Sequence, residues 1–121
     1  MRLVVLMIEV EQPEGISTRK LILETARHNV ITAYTKAGGA ELLRRFPNVD
    51  LAVVHTEIDS SSLRDTVKEL KSILNDLPVI AISPRRDIDQ DGADYLIASH
   101  DPQALLNLLA EKFEAEKSDC D

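Results

Sequence analysis

Short aliphatic runs at residues 3–9, 30–34, 51–55, 79–83 and 95–98 alternate along the chain with stretches whose apolar residues recur every three or four positions. Runs of that length predict strands and the periodic stretches predict helices, so elements alternate from end to end. Residues 51–54 and 79–82 are aliphatic throughout. Strands covered on both faces read that way, whereas one-sided strands alternate with polar residues. Strands that alternate with helices build a parallel sheet with helical crossovers.

The helical stretches carry unequal signals. Residues 17–28 predict a first helix with Ile22, Leu23 and Ala26 inward and no marked start. Residues 36–46 predict a second, with Leu42, Leu43 and Phe46 on one face, weakened by Gly38 and Gly39 and stopped by Pro47. Ser62 and Asp65 have capping-box spacing, and Leu63, Val67, Leu70 and Leu74 follow at helical intervals. In the last helix Asp101 serves as cap and Pro102 suits the first turn. Its Leu105, Leu106, Leu108, Leu109 and Phe113 cover a face wider than one sheet contact needs. Residues 84–91 hold two Arg, three Asp, a Gln and one aliphatic, Ile88. They are too few and too polar for a packed crossover helix and its loops, so a loop or single turn is predicted there.

Composition narrows the class. A length of 121 residues with 44% hydrophobic content builds one core, here assigned to residues 1–117 with 118–121 as a polar tail. The net charge of -7 and the lack of a Lys/Arg block argue against nucleic acid as a partner. Arg44-Arg45 and Arg85-Arg86 read as solvated surface. No apolar run reaches the ~18 residues of a membrane span, and the first strand follows Met1 with no cleavage-site pattern. Cys120 is the only cysteine, which excludes a disulfide framework within the chain and fits a reducing cytoplasm. Glu11 to Gly15 holds no glycine-rich phosphate loop and the chain has no Gly-x-Ser-x-Gly, so neither an enzyme nor a cofactor is expected.

Gln12-Pro13, Asp50 to His55, Leu77 to Ser83 and Gly92-Ala93-Asp94-Tyr95-Leu96-Ile97 resemble, in order, motifs of the CheY-like receiver domains of bacterial response regulators. The resemblance implies a flavodoxin-like (βα)5 three-layer sandwich with strand order 2-1-3-4-5, here with the fourth helix short or absent. In that family a carboxylate accepts a phosphoryl group and two further acids help hold Mg²⁺. A lysine neutralises the phosphoryl oxygens, and a hydroxyl and an aromatic report the change. Carried onto this chain, the acceptor position is His55, and the lysine position is Ala98, followed by Ser99 where the family has proline. A gapless match through Pro13 sets the acidic pair at Val10 and Glu11, while a one-residue slip offers Glu9. Ser83 and Tyr95 stand at the hydroxyl and switch-aromatic positions. Loss of the acceptor together with a shortened fourth helix also resembles the pseudo-receiver domains of cyanobacterial clock proteins.

An imidazole cannot form an acyl phosphate and is a poor Mg²⁺ ligand. The expectation is an atypical receiver-like signalling module acting on a protein partner without phosphorylation. The last-helix leucines Leu105, Leu106, Leu108 and Leu109 suggest a homodimer or docked partner helix, or else they are all core. Two other readings stay open. A small-molecule or metal-binding domain would use the crevice above His55, with His55, His100 and Glu11 as ligands suited to Zn²⁺ or Fe²⁺. A phosphorelay receiver of unusual design would be modified on His55 nitrogen. His28 reads as a cation complementing the first helix's dipole.

Overall fold

The computed structural model describes residues 3–10, 18–57, 62–84, 92–98 and 101–114, without the side chains of 18, 19, 21 and 114. Strands β1 (Val4–Ile8), β2 (Asn29–Ala33), β3 (Leu51–His55), β4 (Val79–Ser83) and β5 (Tyr95–Ala98) form one sheet in the order β2-β1-β3-β4-β5. Every neighbouring pair is parallel. The helices are α1 (Thr18–Thr25), α2 (Lys36–Arg45), α3 (Leu63–Ile73) and α4 (Pro102–Leu109), the last continued by a π-helical turn, Ala110–Glu114. None among the described residues is long and apolar enough to cross a membrane.

The pleat sends successive strand residues to opposite faces and divides the core in two. On one side Leu6, Ile8, Ala52, Val54, Val79 and Ala81 pack with Leu43 of α2 and Leu63, Val67 and Leu70 of α3. On the other Val5, Met7, Leu51, Val53, Ile80 and Ile82 pack with Leu23 of α1 and Leu105 and Leu109 of α4. The sandwich and strand order are those expected. The interface reading is corrected for two of the last-helix leucines, which are core: Leu105 is 1% and Leu109 0% exposed. Both seal the sheet face beneath them, and the half-buried Leu106 and Leu108 pack against the same cluster.

Helix ends depart from the expected pattern for local reasons. α1 stops at Thr25, where the Arg27 amide bonds Glu24 O and the His28 amide bonds Leu23 O, both at 3.0 Å. Arg27 has φ 72, so this is a Schellman ending with arginine in the left-handed position usually held by glycine. Ala26 lies beyond the helix and is exposed rather than inward. Thr35 caps α2, its Oγ1 accepting the Gly38 amide at 2.9 Å. Phe46 is the C-cap and is 45% exposed, not part of the inner face. Gly39 is not a weakness: a methyl there would overlap the Ile8 side chain, so glycine lets α2 lie close on β1. Ser62 Oγ accepts the Asp65 amide at 3.1 Å and Asp101 Oδ1 accepts the Ala104 amide at 3.1 Å, as their spacing implied. In the fourth crossover Pro84 and residues 92–94 are not helical, while 85–91, like the tail 118–121, lie outside the described residues.

The amino edge of the sheet is closed by side chains. The Val4 amide donates to Asp50 Oδ2 at 2.7 Å while the Asp50 amide returns to Val4 O at 2.8 Å. The same ring forms between Val79 and Asp94, both bonds being 2.8 Å, and Lys71 Nζ reaches that Oδ2 at 3.0 Å. His28 completes the set. It is 4% exposed, and its Nδ1 accepts the Leu3 amide at 3.1 Å. A residue immediately before one strand thus satisfies a leading amide of its neighbour. His28 is a buried acceptor rather than a helix-end cation, because a proton on Nδ1 would set donor against donor.

Candidate functional site at the carboxyl edge

Ile8 of β1 pairs with Val54 of β3, so Glu9 and His55 are the next residues on the two strands. Each strand keeps one more ladder bond, Glu9 N to Ala33 O at 3.0 Å and Thr56 N to Ile82 O at 2.9 Å. By the pleat Glu9 and His55 fall on the side carrying α1 and α4, with backbones about 5 Å apart. Glu9 is 2% exposed, a buried carboxylate at the edge of the sheet. His55 is half-buried, and its Nδ1 accepts the Glu57 amide at 3.1 Å. That bond puts the proton of the neutral ring on Nε2.

Ser83 ends β4 at 1% exposure, opposite the half-buried Ala98 of β5. It lies on the α2/α3 side of the pleat, so hydroxyl and imidazole border the crevice from opposite sides. Tyr95 opens β5 opposite Ile80, three residues before Ala98, as the sequence placed it. Its ring meets Phe113 edge to face, with centroids 6.0 Å apart. Val10 is 37% exposed, and Glu11, Ser99 and His100 lie outside the described residues.

Magnesium requires a set of hard oxygen ligands. The described edge offers the buried Glu9, the alanine at the position the resemblance assigns to lysine, and a histidine whose Nδ1 is engaged, with Glu57 exposed beyond it. Among the described residues no group of three His, Cys, Asp or Glu could hold a metal ion. These residues do not fit magnesium. The zinc or iron alternative rests on Glu11 and His100, outside the described residues.

One feature of the edge was missed in the sequence. Thr56 Oγ1, next to His55, is buried with no hydrogen-bond partner among the described residues, as is Thr32 Oγ1 on β2. A threonine directly after a buried strand was the available signal, but its isolation depends on what surrounds it.

No family model matches the sequence, and no curated protein matches it. Solved structures do. A response regulator receiver domain protein from Clostridium thermocellum superposes with TM-score 0.72 at 20% identity, over 91% of this chain and 96% of that one. The CheY-like receiver domain protein of Methanospirillum hungatei gives 0.78 at 17% identity, over 98% and 99%. The chain has the receiver fold. The receiver domain of a sensor histidine kinase from Pseudomonas aeruginosa, solved with a magnesium ion coordinated in its active-site cleft, gives 0.79 at 12% identity over 92% and 97%. At these identities the likeness is one of fold. The edge where β1, β3 and β4 of this receiver fold end is the one bordered by Glu9, His55 and Ser83.

Proposed function

We propose that this protein is a signalling module of receiver fold that acts by binding another protein and does not depend on a phosphoryl switch. The observation that carries the reading is His55 at the end of β3, an imidazole with Nδ1 held by the Glu57 amide where receiver chemistry calls for a carboxylate. Its surroundings support it. Ala98 supplies no cation to a transferring phosphoryl group, and a single buried acid, Glu9, does not make a magnesium cradle among the described residues. A domain without a covalent switch communicates through a fixed or partner-selected conformation.

Incubation with acetyl phosphate and Mg²⁺ followed by intact-mass spectrometry tests this. The expected spectrum is unchanged. A phosphoryl mass that vanishes in His55→Ala would overturn the reading in favour of a histidine-modified receiver.

A further inference from the structure

β2 is an outermost strand of the sheet, paired with β1 alone among the described strands. The Asn29 amide donates to Leu3 O at 2.8 Å, and Ala33 O accepts the Glu9 amide at 3.0 Å. Alternation along a parallel pair therefore turns the backbone groups of Asn29, Ile31 and Ala33 toward β1, and those of Val30 and Thr32 away from it. The outward groups have no hydrogen-bond partner among the described residues. Such a row is a template for another strand, and proteins blunt it with charged side chains, proline or a bulge. β2 has none of these. Its ladder with β1 is unbroken from Asn29 to Ala33, and Asn29-Val30-Ile31-Thr32-Ala33-Tyr34 holds no charge in a chain of net charge -7. On the opposite side of the sheet, the start of β5 is flanked by the Lys71–Asp94 ion pair.

We propose that β2 pairs antiparallel with β2 of a second copy of this chain about a twofold axis at Ile31, joining two five-stranded sheets into one. Self-complementarity selects that occupant. A twofold at Ile31 sets Val30 of each copy against Thr32 of the other. Both pairs then exchange N–H···O bonds in each direction, and every outward group of Val30 and Thr32 is used. On the α2/α3 side Ile31 meets its own counterpart at the closer, non-hydrogen-bonded spacing, which covers a side chain that the single copy leaves half-buried. No charge of the strand opposes its like along this contact, whereas acidic surface repels its own copy. A contact from β2 to β5 would instead propagate head to tail without closing. The contact is two strands removed from His55 and independent of any chemistry there.

Sedimentation velocity of the full chain across a concentration series tests for the dimer, and amide hydrogen exchange locates it. A reversible monomer–dimer equilibrium is expected. The Val30 and Thr32 amides exchange fast in dilute protein and are protected in concentrated protein, while the Ile31 amide, turned toward β1, is protected in both. Thr32→Pro removes an outward N–H and no ladder bond, and weakens the dimer about tenfold, whereas Lys68→Gln on α3 leaves it unchanged. Circular dichroism confirms that each variant is folded, and if Thr32→Pro does not fold, the exchange pattern of the unaltered chain decides. A chain that stays monomeric to submillimolar concentration, a dimer whose Val30 and Thr32 amides exchange as fast as in the monomer, an unaffected Thr32→Pro, or assembly that continues past the dimer each overturns the proposal.

Discussion

Asp50 and Asp94 hold the same post at two places, each accepting the first amide of the strand beside it. A buried amide left without an acceptor loses the full cost of its desolvation. Asp50→Ala is therefore expected to lower stability by about 1–3 kcal/mol in urea unfolding, and Asp50→Asn, which retains an acceptor oxygen, to recover part of the loss. His28 does the equivalent for Leu3 with a ring nitrogen. Local sequence pointed to a helix-end charge there, because the partner amide is 25 positions away and contributes nothing to the local pattern. At the other edge His55 behaves similarly at short range, its orientation set by the Glu57 amide two residues on.

Elements meet where small residues allow it. Gly39 sits inside α2, where alanine has the higher helix propensity by about 1 kcal/mol. The Ile8 side chain occupies the space a methyl would need, and overpacking costs about 1–3 kcal/mol. Packing wins, so Gly39→Ala is expected to destabilise the domain, and a rise in thermal midpoint would refute the close approach of α2 and β1. The end of α1 shows the converse compromise, since Arg27 accepts a left-handed backbone so that the chain can turn directly into β2.

Across the whole molecule, α4 covers one face of the sheet through Leu105 and Leu109. Leu105→Ala removes a buried side chain at a cost of about 2–5 kcal/mol, a large part of the ~5–15 kcal/mol that holds a typical domain folded. Chemical unfolding should show that loss equally at every protein concentration, as a core position requires. A deficit that disappears on dilution would restore the interface reading.

Strand and helix alternation, the two faces of the central strands, and the caps at Ser62 and Asp101 were all legible in the chain itself, because each is written in spacings of two to four residues. The absence of a carboxylate at residue 55 was equally plain. Tertiary structure alone decided that Glu9 is buried beside His55, that Phe46 and Ala26 face outward, and that Leu105 and Leu109 are core. It alone joined His28 to Leu3. The reason is physical: a hydrophobic pattern marks which residues seek cover, while the cover itself is supplied by segments distant in the chain.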